Sequence, residues 1–249
     1  MTDLYVYGLH AVKALLSSTI RKTYCLYLSS ERRDKPIEAL SQLALAKKIP
    51  VETLTRTEMS KRFPDQVHQG VIAKAGSVGT FGEQGLRSLL EKAKKPALIL
   101  ILDGITDPHN LGACLRTADA AGVDFVVIPK DKNASLTAVV TKVASGAVEA
   151  LPLVRVTNLV RAMEILKEAG VWIFGADAKA DQSLYTLTCT SPLALVMGAE
   201  GAGLRRLTKE HCDGLFSLPM SGSVESLNVS VATGIALYEV GRQRMQLWC

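Results

Sequence analysis

The sequence predicts an α/β fold whose parallel sheet is covered on both faces. Five apolar runs in the last two thirds of the chain are four to six residues long and are bounded by Gly, Pro or Asp. Such short continuous runs are typical of strands buried on both faces. Helical patterns lie between most of them, and this alternation indicates a parallel sheet. The runs are 97–102, 123–128, 171–174, 193–197 and 215–218.

Segments with a helical spacing of apolar residues accompany these strands. They are 86–93, 111–121, 136–144, 159–169 and 228–245. In folds of this type ligands bind beyond the carboxyl ends of the strands. The loops that follow the apolar runs therefore form the candidate site.

The first third of the chain predicts a separate, smaller α/β domain. Helical patterns at 9–16 and 36–47 alternate with strand patterns at 24–28, 51–54 and 71–73. The stretch 74–84 carries three Gly and few large apolar residues, which is typical of a linker. The predicted organisation is a small domain over 1–75, a flexible linker over 76–84 and a larger α/β domain over 85–249.

The net charge of +5 is concentrated in this first third. Residues 1–76 hold 12 Lys and Arg and 7 Asp and Glu, whereas the other residues hold 17 of each (29 − 12 and 24 − 7). Such an excess is expected where a domain binds a polyanion such as a nucleic acid. A basic solvated face without a partner is the alternative that charge alone leaves open.

Composition argues against several classes of protein and site. No apolar run approaches the ~18 residues that cross a bilayer, and the first ten residues lack the basic and apolar regions of a secretory signal. Five scattered cysteines without a CxxC pair indicate reduced thiols, and the four histidines lack metal-ligand spacing. We expect a cytoplasmic protein without a metal.

The first candidate loop follows the first apolar run and reads DGITDPHNLGACLRTADAAG. Asp107 and Pro108 start a turn, and Asn110 stands at the entry to a helix. Arg116 follows six residues later, so we expect it near the same side of the helix as Asn110. The rest of this helix is rich in Gly and Ala, which permits close packing against a chain segment or a second subunit. An Arg among such residues needs an anionic partner, either a phosphate or carboxylate of a ligand or a structural ion pair with Asp107 or Asp119.

The second loop, GAEGAGL, follows the run 193–197. Its glycines do not have the G-x-G-x-x-G order of a dinucleotide-binding turn, which argues against a nicotinamide-dependent oxidoreductase. The loop exposes its backbone and carries one carboxylate. We expect that carboxylate, Glu200, to meet Arg116 or a donor from the ligand.

The third loop, LPMSGSVESLNVSVA, leads from the last apolar run into the last helical pattern. Small polar residues crowd the point at which this helix would begin. Ser226 and Asn228 either cap the helix or point, with the loop backbone, into a ligand cleft.

Together, Asn110 and Arg116, GAEGAGL and LPMSGSVESLNVSVA resemble the three sequence motifs of the SpoU (TrmH-like) branch of the SPOUT RNA 2′-O-ribose methyltransferases. The resemblance covers nearly the whole chain, because YGLHAV and HQGVIA in the first third look like the RNA substrate-recognition domain of that family. The wording DPHNLGACLRTADAAG is similar to that of members that methylate a guanosine of 23S ribosomal RNA. Another RNA, such as tRNA, is the alternative substrate.

The resemblance implies a parallel α/β SPOUT fold with a C-terminal trefoil knot, a rare exception to unknotted folding. It also implies a ribosomal RNA substrate, a homodimer with its site near the subunit interface, and S-adenosylmethionine held mainly by loop backbone. The residues that would contact this cofactor are Gly198, Leu218, Met220 and Leu227. The implied catalytic set is Asn110, Arg116, Glu200, Ser226 and Asn228.

On this hypothesis Arg116 binds the substrate phosphate and stabilises negative charge on the 2′-oxygen, while Glu200 holds the guanidinium by a bidentate pair. The side chains that would orient the Arg and the ribose are Asn110, Ser226 and Asn228. A guanidinium stays protonated, so the acceptor of the hydroxyl proton is open. His109 is one candidate, and an exposed turn histidine is its alternative.

A non-catalytic RNA-binding assembly factor with the same fold is the alternative function. Binding alone does not require both Arg116 and a Glu in a glycine loop. Their joint presence favours an enzyme.

Overall fold

The computed structural model describes residues 4–18, 21–64 and 68–245. Contacts between residues divide the chain into two compact units. The first comprises the residues up to Gly79 together with Leu136–Ala150, and the second comprises Thr80–Ser135 and the residues from Leu151 onward. Leu136–Ala150 lies inside the predicted larger domain in sequence but packs with the first unit.

The described strands and helices alternate along most of the chain. The strands are β1 (Leu4–Tyr7), β2 (Thr23–Ser29), β3 (Val51–Leu54), β4 (Val71–Ala75), β5 (Thr80–Phe81), β6 (Leu98–Asp103), β7 (Phe125–Pro129), β8 (Leu153–Val156), β9 (Trp172–Ala176), β10 (Leu193–Gly198) and β11 (Gly214–Phe216). The helices are α1 (Leu9–Ser17), α2 (Lys35–Ala46), α3 (Arg56–Arg62), α4 (Gly85–Lys92), α5 (Pro108–Ala120), α6 (Ala138–Val143), α7 (Ala147–Ala150), α8 (Leu159–Glu168), α9 (Arg206–Glu210) and α10 (Val229–Met245).

The first unit is a mixed sheet in the order β1-β4-β2-β3. β4 runs antiparallel to β1 and β2, and β3 runs parallel to β2. One apolar cluster buries α1 and α2 against the sheet, and a second cluster around Met59 and Phe63 covers the sheet with α3. Polar caps fix where the helices begin: Asp34 accepts from the N–H of Ile37 at α2, and Thr55 and Glu58 form a capping box at α3.

The second unit is a parallel sheet in the order β11-β9-β10-β6-β7-β8-β5. All described pairs in it are parallel. Every residue of β6 and β7 is buried, as the continuous apolar runs predict. α4 and α8 contribute to the core on the sheet, and α5 packs against α10. The predicted α/β fold with a covered parallel sheet is confirmed, while the knot stays a prediction.

α10 runs from the carboxyl ends of the strands of this sheet to their amino ends. It begins beside the loops that follow β10 and β11, and Arg244 near its end donates to main-chain carbonyls at the starts of β6 and β10. The acceptors are Pro96 O (2.8 Å), Ala97 O (3.1 Å), Cys189 O (3.0 Å) and Ser191 O (2.9 Å). This anchoring holds the first residues of α10 at the carboxyl edge of the sheet, where the candidate site lies.

The helices and strands predicted from the sequence are present, with bounds that differ by a few residues. The elements not predicted are β1, β5, β8, α3, α7, α9 and a single 3₁₀ turn at Leu184–Thr186. One of them falls in the predicted linker 76–84, because Thr80 and Phe81 pair in parallel with Leu153 and Val154 of β8. That stretch is therefore not uniformly free of secondary structure.

The described residues include no helix with the length and apolarity needed to cross a membrane. Within the same residues no group of His, Cys, Asp or Glu is arranged to hold a metal ion. Cys25, Cys114, Cys189 and Cys212 are unpaired thiols. Burial raises the pKa of Cys114 and Cys189 to about 11 and that of Cys212 to about 12, so these three thiols stay protonated.

Candidate cofactor and active site

A cavity of about 1150 Å³ lies at the carboxyl ends of three neighbouring strands, β9, β10 and β11. The second and third predicted loops form much of its wall. The predicted residues that line it are Gly198, Glu200, Leu218, Met220, Ser226, Leu227 and Asn228. Two loops that follow different strands of the sheet therefore share one cavity, as the strand-end rule predicts.

The glycine loop folds tightly back on itself. Ala199 and Gly203 exchange backbone hydrogen bonds, with Ala199 N–H to Gly203 O at 3.1 Å and Gly203 N–H to Ala199 O at 2.8 Å. A Cβ atom at Gly198 would lie 2.3 Å from the carbonyl carbon of Gly203, which real side chains do not tolerate. Gly201 has a φ of 73°, a left-handed conformation that favours glycine. The loop thus presents main chain, with little side-chain bulk, to the cavity.

A buried carboxylate closes this loop at its base. Asp103, at the end of β6, pairs in register with Gly198. Its Oδ1 accepts from Arg205 Nε at 2.6 Å and also pairs with Arg205 Nη2, and its Oδ2 accepts from the Arg205 backbone N–H at 3.1 Å. Both ends of the segment from Gly198 to Arg205 are therefore fixed to one point of the sheet.

Asn228 connects the third loop to both other motifs. Its Nδ2 donates to Glu200 Oε1 at 2.5 Å and to Asn110 Oδ1 at 3.0 Å. Its Oδ1 accepts from the backbone N–H of Ser230 at 2.9 Å and from Ser230 Oγ at 2.6 Å, which caps α10. Both interpretations left open by the sequence, helix cap and cleft residue, therefore hold for Asn228. Ser226 is exposed at the cavity wall.

Arg116 does not occupy the position predicted for it. Its side chain is exposed, and no hydrogen bond or ion pair joins it to another described residue. The expected pair with Glu200 is not formed in this structure, where Glu200 accepts from Asn228. Six residues turn a helix through about 600°, so Asn110 and Arg116 differ by about 120° in direction. The alternative of an ion pair with Asp107 or Asp119 is not observed either: Asp107 caps α5 by accepting from the N–H groups of His109 and Asn110.

The small residues of α5 have a packing role within the chain. α5 lies against α10, where a Cβ at Gly234 would lie 3.6 Å from Thr117 Cγ2 and where Cys114 Sγ is 3.5 Å from Thr233 Oγ1. Of the two alternatives raised by the sequence, close packing against a chain segment is therefore observed. This packing brings Asn110 next to Asn228.

Sequence reasoning missed four charged residues of the cavity wall, one of which, Glu225, lies in the third loop itself. Asp177 and Lys179 follow β9, and Lys209 lies on α9 and pairs with Asp177. Burial opposes ionisation of Asp177, but hydrogen bonds from Lys209 and from the Lys179 backbone outweigh it, so its pKa lies below the usual value. The strand-end rule applied to the run 171–174 would have indicated this loop as well.

The cavity fits a cofactor that combines an adenine base with a cationic sulfur. Its volume suits a small-molecule site. Leu218, Met220 and Leu227 supply apolar surface beside the main chain of the glycine loop. Glu200 accepts from an amide and has no cationic partner among the described residues, so its charge is available to a cation in the cavity.

Comparison with known proteins agrees with this geometry. The model described as the SpoU rRNA Methylase family matches residues 97–238. The chain belongs to the SpoU rRNA methylase family. A second model, described as RNA 2'-O ribose methyltransferase substrate binding, matches residues 5–78.

Relatives in this family match the chain over its length. The 23S rRNA (guanosine-2'-O-)-methyltransferase RlmB of Pseudomonas putida is 53% identical over 239 residues, which is 96% of both chains. RlmB of Yersinia pestis is 49% identical over 96% of this chain and 97% of its own.

Solved structures of SpoU methyltransferases share the fold. AviRb from Streptomyces viridochromogenes in complex with AdoMet superposes with a TM-score of 0.81 over 98% of this chain and 91% of its own, at 22% identity. The AdoMet-bound rRNA methyltransferase from Sinorhizobium meliloti gives a TM-score of 0.78 over 96% and 87%, at 25% identity. The predicted membership of the SPOUT class of folds is confirmed.

Proposed function

We propose that this SpoU family member transfers the methyl group of S-adenosylmethionine to the ribose 2′-hydroxyl of a guanosine in 23S ribosomal RNA. The observation that carries the proposal is the junction at Asn228, where the amide joins Glu200 of the glycine loop to Asn110 of the first motif at the edge of the cavity. Full-length identity of about half to RlmB proteins supports the choice of substrate.

The cavity residues divide between binding and chemistry. S-adenosylmethionine, when bound, supplies a methyl group on a positively charged sulfur. The main chain at Gly198 and the side chains of Leu218, Met220 and Leu227 would hold it. Glu200 lines the same space and forms no ion pair with another described residue, so its negative charge favours a cationic sulfur there.

Arg116 and the polar residues at the cavity edge act on the RNA. Arg116 is exposed and unpaired, so its guanidinium is free to bind a substrate phosphate and to stabilise negative charge that develops on the 2′-oxygen. Ser226 and Asn228 orient the ribose, and Asn110 fixes the amide of Asn228. Glu200 positions Asn228 and not the Arg. The hydroxyl proton leaves to an acceptor other than Arg116, because a guanidinium does not take a second proton.

We further propose a homodimer that acts in the bacterial cytoplasm. α10 leaves Val231 and Tyr238 half exposed or more, and such apolar side chains on one helix suit a subunit interface. Ribosomal RNA as substrate supports the location. The predicted division of labour, with RNA recognition over 1–75, a linker over 76–84 and methyl transfer over 85–249, is part of the same proposal.

The test is to map ribose methylation on 23S ribosomal RNA incubated with the purified chain and S-adenosylmethionine. We expect one guanosine to gain a 2′-O-methyl group. Arg116→Ala should lower turnover by a factor on the order of 10²–10³, while cofactor binding measured by calorimetry stays near wild type. Arg87→Ala is the control, because Arg87 is an exposed Arg of the same unit that pairs with Glu168.

One result would refute methyl transfer, and another would refute the role of Arg116. Heat of cofactor binding without methylation of any tested RNA would favour the non-catalytic assembly factor. Turnover by Arg116→Ala equal to that of Arg87→Ala would remove Arg116 from the reaction.

A further inference from the structure

The first unit holds a cavity of its own, of about 380 Å³, at the ends of α1 and α2 and the start of β2. Four basic side chains line it: Arg21, Lys22, Lys47 and Lys48. None of the described residues that line this basic pocket is acidic. Its volume is close to that of a small-molecule site.

The basic side chains of the pocket differ in how their charge is balanced. Arg21 is buried, pairs with Glu149 and donates from Nε to Gly76 O at 2.7 Å, so it is a structural part of the wall. Lys22, Lys47 and Lys48 are exposed, and no ion pair joins them to another described residue. The pocket wall therefore carries three exposed positive charges that form no ion pair with another described residue, and such a wall attracts an anion.

The backbone of Lys48 adds an independent observation. α2 ends with Lys48 N–H bonded to Leu45 O and Ile49 N–H bonded to Ala44 O. Lys48 has a φ of 57°, the left-handed conformation that glycine usually supplies after the end of a helix. A Lys in this conformation is less stable than a Gly would be, and this Lys is one of the residues that line the pocket.

An aromatic ring completes the wall. Tyr24 is 41% exposed although it lies on β2, and Lys22 Nζ is 5.6 Å from the centre of its ring. Lysines beside an exposed aromatic ring are typical of sites for single-stranded nucleic acid, where phosphates meet the cations and a base stacks on the ring. An acidic protein segment would satisfy the lysines but would give the ring no planar partner.

We propose that the basic pocket binds a single-stranded segment of the RNA substrate, with phosphates on Lys22, Lys47 and Lys48 and an unpaired base against Tyr24. The proposal rests on the proposed function for the identity of the RNA. It adds a contact that lies outside the cofactor cavity and does not involve the reacting nucleotide.

The first test removes the charge of the pocket. The variant Lys22→Gln/Lys47→Gln/Lys48→Gln is compared with Lys13→Gln/Lys35→Gln/Lys61→Gln, which removes three exposed lysines of the same unit that do not line the pocket. Binding to a 23S ribosomal RNA transcript should weaken about tenfold or more in the pocket variant only. A plot of log affinity against log salt concentration should become shallower by about two in this variant. Each of the three phosphate contacts on single-stranded RNA contributes about 0.7 to the steepness of that slope.

The second test addresses the base. Tyr24→Ala should weaken binding of a single-stranded 12-nucleotide RNA about tenfold, whereas Tyr24→Phe, which keeps the ring, should bind as wild type does. A duplex of the same sequence should not distinguish the two variants. Equal affinity of Tyr24→Ala and wild type for the single strand would overturn the stacking contact.

Methylation kinetics separate this proposal from the proposed function. The pocket variant should raise KM for the RNA and leave kcat and the Kd for S-adenosylmethionine unchanged. The pocket proposal is wrong if the wild type is active and KM for the RNA rises equally in the pocket and control variants. It is also wrong if KM rises in neither variant. A wild type that methylates no RNA would instead refute the proposed function, and the binding comparison would still decide whether the pocket holds RNA.

Discussion

At the start of α10, the amide group of Asn228 divides its hydrogen bonds between the helix and the cavity. Its oxygen caps the helix at Ser230, and its nitrogen donates to Glu200 and Asn110. The two functions require different atoms of one side chain. Substitutions that keep one atom and change the other can therefore separate them.

Asn228→Asp keeps the capping oxygen, which Asp supplies as well as Asn does. It replaces the donor by a second carboxylate beside Glu200, so the two like charges repel each other. We expect a loss of stability in urea that the repulsion causes and the cap does not, and a loss of methyl transfer on the order of 10²-fold. Asn228→Ala should lose both functions, with about 1 kcal/mol of stability from the missing cap.

Asn158→Ala is the matched control for this prediction. Asn158 caps α8 by accepting from the Arg161 N–H at 3.2 Å, and it does not line the cofactor cavity. It should lose about as much stability as Asn228→Ala does, with unchanged methyl transfer. Full activity of Asn228→Asp would show that the donated hydrogen bonds are not needed for the reaction.

At the scale of single residues, the sequence predicts which side chains belong to the cavity better than which partners they have. Gly198, Glu200, Ser226 and Asn228 line it as predicted, because each follows a strand whose carboxyl end lies at the same edge of the sheet. The predicted pair of Glu200 with Arg116 is not formed, since the partner of Glu200 depends on how the glycine loop meets the start of α10, which no local pattern encodes. The catalytic role of Arg116 stays a prediction.

Among the elements, the glycine loop depends most on backbone geometry. The Cβ atom introduced by Gly198→Ala would lie 2.3 Å from the carbonyl carbon of Gly203 and 2.5 Å from Leu204 N, so the loop has to shift. We expect the affinity for S-adenosylmethionine, measured by calorimetry, to fall at least tenfold, with a stability loss of about 1–3 kcal/mol.

Gly222→Ala provides the comparison for this loop. Gly222 lies in the third loop, where a Cβ would meet no atom within 4 Å and φ is not in the left-handed region. Its cofactor affinity should stay within about twofold of wild type. Normal binding by Gly198→Ala would mean that the close return of the loop is not required to hold the cofactor.

At the scale of elements, prediction succeeded where burial leaves a continuous pattern and failed where it does not. β6 and β7 are fully buried and read as unbroken apolar runs. β8 was missed because Arg155 interrupts its four residues, and β5 because it has only two residues among glycines. α3 was missed although the capping box of Thr55 and Glu58 marks its start in the sequence.

For the molecule as a whole, the division into units does not follow the order of the chain. Leu136–Ala150 lies within the residues matched by the methylase family model but packs with the first unit. Arg21 and Glu149 pair there with side chains that are 2% and 0% exposed, and Ser18 Oγ donates to Glu149 O at 2.6 Å. Sequence patterns could not predict this arrangement, because a buried ion pair between residues so distant in sequence has no local signature.

Arg21→Met tests what this pair contributes to stability. The substitution leaves Glu149, whose Oε2 already has no hydrogen-bond partner among the described residues, as an uncompensated buried charge. We expect a loss of about 3–5 kcal/mol in urea unfolding, against less than about 1 kcal/mol for Arg87→Met, which breaks an exposed pair.

The pH dependence of this loss follows from the pKa of Glu149, which burial raises in the folded chain. As pH rises, the unfolded chain releases the proton of this carboxyl more readily than the folded chain does, so the folded state loses stability. The loss in Arg21→Met should therefore be larger at pH 8 than at pH 5. Arg21→Met/Glu149→Leu should recover most of the stability; a double variant no more stable than Arg21→Met would show that the loss comes from packing and not from the unpaired carboxylate.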